Sequence, residues 1–303
     1  MTLARTLTAS SAFAAAALAA PAWAQHADFV LFGDPNPAGI AEPPEQRHVA
    51  PITSPFYHED SFITTDLRAW YLYHDFPSAG IPGGVGGGRA NAVALQVRVA
   101  LTDRLQLVAY KDGYADFETG AIKDDGPFDL AAGLKYAVIQ DWENDLHVAV
   151  GVGYELGIGD DEALQEDDEA RIWASIDKGF GKLHTGATIN VIIPTDAEDP
   201  LGDSTSIFWH ARADYYLHEL FSPVVELNGY HTVEEGDNAP LTFNGVDVAN
   251  LGGGQSEDVI TIGFGGETRP LDNLAFRFAY EFPLLENEDL FGYRWTLSLK
   301  LDF

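Results

Sequence analysis

Seven carboxylates fall within the eleven residues Gly159-Asp160-Asp161-Glu162-Ala163-Leu164-Gln165-Glu166-Asp167-Asp168-Glu169. Oxygen donors at that density could hold a hard divalent cation such as Ca²⁺ or Mg²⁺. Their order lacks the D-x-[DN]-x-[DN]-G spacing of a calcium loop, so a solvated acidic surface explains them better than a dedicated metal site. The nine histidines are scattered, and none pairs with a serine at a spacing that would arm a nucleophile. With no cysteine, the chain has no thiol nucleophile, disulfide framework or cysteine-ligated metal. Gly83-Gly84-Val85-Gly86-Gly87-Gly88 is not followed by Lys-Ser or Lys-Thr and reads as a mobile loop rather than a phosphate cradle. The sequence therefore predicts no catalytic residue, no cofactor site and no specific metal ligand. A net charge of −30 argues equally against a nucleic-acid partner.

The remaining charged and aromatic residues acquire meaning only from the elements that carry them. Residues 1–24 hold one basic residue, Arg5, then the alanine-rich run from Ser11 to Ala20, then Ala22-Trp23-Ala24. That order matches a cleaved secretory signal, too short to span a bilayer. Residues 25–61 begin with Asp28-Phe29-Val30-Leu31-Phe32-Gly33 and are broken by Pro35, Pro37, Pro43, Pro44 and Pro51. They suit neither a membrane strand nor a stable helix. Two placements are open for them, a periplasmic tail or a plug folded back into a lumen.

From Phe62 onward the apolar residues recur at every second position, which is the period of a strand. At the end of the chain Phe291, Tyr293, Trp295, Leu297, Leu299, Leu301 and Phe303 share one face, and Arg294, Thr296, Ser298, Lys300 and Asp302 the other. Twelve such runs can be counted, at about 62–74, 91–101, 104–114, 128–139, 146–158, 170–178, 183–193, 205–217, 224–233, 257–268, 274–283 and 291–303. Short and long connections alternate between them. An even number of ten-residue strands with turns at one end and loops at the other predicts an all-β fold, an antiparallel transmembrane barrel spanning 62–303. A soluble sandwich fits less well, because the polar face is rich in glycine, alanine and charges of both signs while aromatics recur near strand ends on the apolar face. The six long loops hold 23 acidic residues against Arg89 and Lys123, so most of the negative charge lies outside the membrane slab.

If the apolar face meets lipid, alternation assigns the lumen. Its expected cations include Arg68, Arg98, Lys135, Arg171, Arg212, Arg277 and Arg294. Glu155, Asp214, Glu226 and Glu281 are among the expected anions, and Trp70, Tyr110, Trp173 and Tyr230 narrow the passage or offer an aromatic wall to a partly apolar solute. Positive and negative groups nearly cancel, which disfavours a selectivity for anionic oligosaccharides. Lys111 falls on the outward face, which implies a bulge, a shortened span or a register error.

The terminal Tyr293-Arg294-Trp295-Thr296-Leu297-Ser298-Leu299-Lys300-Leu301-Asp302-Phe303 resembles the carboxy-terminal signature of Gram-negative outer-membrane β-barrel proteins. The resemblance implies recognition by the barrel assembly machinery through Tyr293, Trp295 and Phe303, and residence in the cell outer membrane. The apolar residues of the segment before the first strand and of the loops also resemble channels for hydrophobic compounds of the phenol-degradation type. The expected function is passive passage of a small solute through a monomeric porin-like barrel. Lipids and lipopolysaccharide, bridged by divalent cations, are the expected partners of the rim. Two alternatives remain: a surface-interaction protein working through its acidic loops, and an outer-membrane lipid hydrolase.

Overall fold

Period-two alternation can bury only one face of each strand, so a long antiparallel sheet built from it must either pack on a second layer or close on itself. The computed structural model describes residues 27–37, 39, 43–77, 87–119, 123–160, 168–195, 204–234, 259–285 and 291–303. The signal-like segment 1–24, Gly83 to Gly86 and residues 161–167 of the acidic loop lie outside the described residues, as do large parts of the other long loops. Among the described residues the only helical turn is a 3-10 turn at Pro44–Gln46, and no helix is long and apolar enough to cross a membrane.

The sheet closes. Its segments are β1 (Asp66–Phe76), β2 (Gly88–Ala100), β3 (Leu105–Lys111), β4 (Tyr114–Thr119), β5 (Lys123–Pro127), β6 (Leu130–Asp141), β7 (Leu146–Leu156), β8 (Glu169–Phe180), β9 (Leu183–Pro194), β10 (Thr205–Tyr215), β11 (Ser222–Glu234), β12 (Val259–Leu271), β13 (Leu274–Pro283) and β14 (Tyr293–Asp302). Every pairing is antiparallel, and β1 bonds both β2 and β14, with Asp66 opposite Arg98 on one side and Asp302 on the other. Segments β3 and β4 form one stave and β5 and β6 another, so the barrel has twelve staves.

The β3–β4 junction shows why one stave is drawn as two segments. Segment β3 pairs with Val97 to Ala100 of β2, and β4 with Gly88 to Val93. In the gap the carboxylate of Asp112 takes the backbone N–H of Leu95 at 2.8 Å. Gly113 follows at φ +125°, and a Cβ there would stand 2.1 Å from the carbonyl oxygen of Val93. Only glycine fits. Residues 115–119 and 123–127, expected within a loop, instead pair as β4 and β5, with Asp116 opposite Asp125. Alternation over so short a stretch of acidic and small residues is too weak to read.

Exposure follows the alternation with the sign of a membrane barrel. In β6, Leu134 is 44 % exposed while its neighbour Lys135 is fully buried. The outer wall is apolar and open, and the inner face is charged and enclosed, which is the arrangement a hydrocarbon surround requires. Lys111 departs from the outward position expected of it. The β3–β6 register shifts between Ala109 and Lys111, so Tyr110 and Lys111 both turn inward. The bulge places the ammonium against the carboxylate of Glu155 rather than against lipid.

Candidate functional site

A twelve-stave barrel lined with arginines and carboxylates cannot leave those groups dry and unpaired. All fifteen side chains expected in the lumen from alternation are buried. They divide by what they bond. One group is wired wall to wall: Glu155 holds Lys111, Arg212 binds Asp177 at 2.5 Å and Asp214 at 3.2 Å, and Arg294 faces Glu281 at 3.7 Å. Trp70 donates to Gln96 at 2.8 Å, and Tyr230 meets Phe208 edge-on at 5.1 Å.

The other group ends on residues 43–65, which run inside the barrel. Arg277 donates to the carbonyl oxygens of Pro51 at 3.0 Å and Ala50 at 3.3 Å. Glu226 accepts the backbone N–H groups of Ile52 and Thr53 and the Thr53 hydroxyl. Arg171 donates to the carbonyl oxygens of Phe56 and Tyr57, each at 2.8 Å. Arg98 binds Glu59 at 2.6 Å, Arg68 reaches Asp60 at 3.2 Å, and Lys135 lies 3.3 Å from Asp60 and 3.8 Å from Glu59. The segment turns at Ser54, which has φ 50° and whose carbonyl takes the N–H of His58 at 2.9 Å. Its apex carries Phe56 against Phe128 and Tyr57 against Phe208, with ring centroids 5.6 and 5.1 Å apart. Apolar packing and charge pairing therefore both hold the segment.

The guanidinium of Arg171 also stacks over Trp173 at 4.5 Å, Tyr110 at 4.6 Å and Tyr57 at 5.1 Å. Gly151 makes that cluster possible, since a Cβ there would stand 2.1 Å from the Trp173 ring. The three carboxy-terminal signature residues lie elsewhere. Tyr293 stacks on Tyr73 at 6.0 Å and Trp295 sits 4.6 Å from Tyr280, on the outer wall. Phe303 bonds through its backbone to Thr65, Asp28 and Phe29.

Three titratable groups of the inner segment and a turn are displaced from ordinary behaviour. Burial pushes the His58 imidazole well below its usual value, and His210, stacked on it at 5.0 Å, and Arg212 push the same way. Burial works against the Asp60 carboxylate, but Lys135, Arg68 and Arg98 outweigh it and hold its pKa well below the usual carboxylate range. In the β6–β7 turn, burial likewise opposes ionisation of Asp145, and the imidazoles of His147, 3.6 Å away, and His48, hydrogen-bonded at 2.9 Å, overcome it.

The residues that alternation could not supply are His48, Thr53, His58, Glu59 and Asp60, all outside any strand. Their one signal was compositional: His58-Glu59-Asp60-Ser61 follows directly on Phe56-Tyr57, an odd mixture for a solvated tail.

No known family profile matches the chain, and no curated protein matches it. Among solved structures it is similar to an outer membrane channel from Pseudomonas putida F1, at 15 % identity and a TM-score of 0.60 over 84 % of this chain and 100 % of that one. Looser likenesses are to NanC porin, at 9 % identity and a TM-score of 0.47 over 79 % of this chain and 98 % of that one, and to KdgM porin, at 8 % and 0.48 over 78 % and 99 %. At these identities the likeness is one of fold, and the first comparison carries it.

Proposed function

We propose that this protein is an outer-membrane channel through which a small, partly apolar solute passes, and that residues 43–65 are a plug whose displacement opens the lumen. The observation that carries the reading is where the wall charges end. Arg98, Lys135, Arg171, Arg277 and Glu226 bond backbone or carboxylate groups of the segment. Water or solute can replace these partners without breaking the barrel's own ladder. Displacement would uncover Arg171 between Trp173 and Tyr110, a surface suited to an aromatic or partly apolar group beside an oxygen acceptor. Secretion by the segment 1–24 and assembly through the terminal strand belong to the same reading.

A cysteine lock tests it. A Cβ built on Gly263 lies 3.7 Å from the Cβ of Thr53, within the roughly 3.5–4.5 Å that a disulfide spans. The chain has no other cysteine to compete. Thr53→Cys with Gly263→Cys should conduct in planar bilayers when reduced and lose most of that conductance when oxidised. Thr53→Cys alone should ignore the redox state. Equal conductance in both states of the double variant would remove the plug, and silence in every variant, including one lacking 43–60, would remove the channel.

A further inference from the structure

The segment enters the barrel at the turn end, where His48 meets two elements of the wall. One ligand atom from each of His48, Asp145 and His184 lies within 4.8 Å of the others. His48 Nε2 stands 2.9 Å from Asp145 Oδ1, and the His48 and His184 rings stack at 4.4 Å with an interplanar angle of 18°. Asp145 belongs to the β6–β7 turn and His184 is the second residue of β9.

The turn is shaped to aim its carboxylate inward. Asp145 has φ 49°, a left-handed conformation that costs a non-glycine residue strain. Its side chain fills the gap left by Gly179, where a Cβ would stand 1.6 Å from Asp145 Oδ2. That oxygen is buried without a hydrogen-bond partner, as is Nε2 of His147, which lies 3.6 Å from Asp145 Oδ1. His184 is oriented from behind, with Nδ1 2.7 Å from Asp214 Oδ2. A carboxylate in that position fixes the ring and directs Nε2 at a metal in imidazole sites generally. Around His184 Nε2 are the carbonyl oxygens of Glu45 at 3.0 Å and Gly181 at 3.1 Å. Asp177, 3.9 Å from His48 Nδ1, and Asp214, behind His184, are both paired with Arg212, whereas Asp145 pairs with the imidazoles of His48 and His147.

We propose that His48, Asp145 and His184 form a binding site for a divalent transition metal of the Zn²⁺ class, with His147 beside it and Asp214 as a positioning residue. Two imidazole nitrogens with a carboxylate oxygen are the donor set such ions prefer, whereas Ca²⁺ and Mg²⁺ demand more oxygens than converge here. A ligand from the inner segment and two from the wall would make the ion a latch across the mouth of the lumen. By linkage, a free metal concentration about 100 times the dissociation constant multiplies the closed-to-open ratio about 100-fold. The latch rests on the channel reading; the metal site does not.

The test uses untagged full-length protein in detergent, stripped with EDTA. Titration with ZnCl2 by calorimetry should give one equivalent, and Co²⁺ should give the visible absorption of an imidazole-bound ion. His48→Ala and His184→Gln should each weaken binding at least tenfold, and Asp214→Asn about 10- to 100-fold, with barrel folding confirmed by heat-dependent mobility on gels. Absence of saturable binding, or binding that survives both histidine substitutions, overturns the site. In bilayers Zn²⁺ should lengthen closed intervals of the wild type and leave His48→Ala unchanged. A protein that is silent in bilayers yet binds one His48-dependent Zn²⁺ would retain the site and lose the channel; openings indifferent to a bound Zn²⁺ would overturn the latch.

Discussion

Glu59 and Asp60 offer the sharpest perturbation of the proposed plug. Glu59 Oε1 binds Arg98 at 2.6 Å, Asp60 Oδ2 binds Arg68 at 3.2 Å, and Lys135 reaches both carboxylates. All five side chains are buried in the closed barrel. Glu59→Gln with Asp60→Asn leaves Arg98 and Lys135 without a countercharge from the segment only while it is seated; once it moves, water solvates them. Breaking one side of a buried pair costs about 3–5 kcal/mol. Arg68 keeps Asp66 at 2.8 Å, and the new amides still accept hydrogen bonds, so the lower figure applies, about 3 kcal/mol. At about 1.4 kcal/mol per tenfold, the open-to-closed ratio should rise about 100-fold. A wild type open about 0.1 % of the time would then be open about 10 % of the time. Single-channel recording reads this directly, with unit conductance unchanged and only the open probability raised. The exposed pair Arg89–Glu118, 2.7 Å apart at the rim, supplies the control, since Glu118→Gln should do nothing. An open probability within threefold of wild type, in a double variant that folds, would refute the claim that charge pairing seats the segment.

Acid should open the barrel through His58. Because its closed-state pKa is lowered from about 6.5, the closed state is fully favoured above that pH and loses ground below it, as the displaced segment takes up a proton that the seated one refuses. Opening should rise about fivefold between pH 6.5 and 5.5 and approach one decade per pH unit below that, and His58→Gln should flatten that response; Asp60 adds to it only near pH 4 and below. Gly151→Ala would drive a methyl into Trp173, costing about 1–3 kcal/mol. Its thermal unfolding temperature should fall, and adding Trp173→Ala should relieve the overpacking. Phe303→Ala should leave refolding in detergent intact but lower the amount inserted in outer membranes, as measured by fractionation, if the terminal strand is an assembly signal.

The strands were legible because their signal is local and repeated. Segments 183–193 and 274–283 coincide with β9 and β13 to within a residue, since a lipid-facing side chain every second position leaves a sequence little choice. The inward position of Arg68, Arg98 or Glu226 followed from the same period. A charge falling on the lipid face at Lys111 left three explanations open, and the structure selects the bulge, which adds one residue to a stave and reverses every facing after it. The β4–β5 pairing escaped because Asp116 and Asp125 face each other across a rim and not across a hydrophobic wall.

By itself the sequence determined the closed barrel, its handedness of polarity with apolar side chains outward, and the absence of cysteine chemistry, because each depends on composition or on neighbours a few residues apart. Only the tertiary structure decided what the inner charges bind. His48, Asp145 and His184 are separated by 97 and 39 residues along the chain, and so are Glu59 and Arg98 by 39. Such pairs have no periodicity to betray them. They meet because ring closure encloses a space whose buried charges must be matched, and residues 43–65 supply the match.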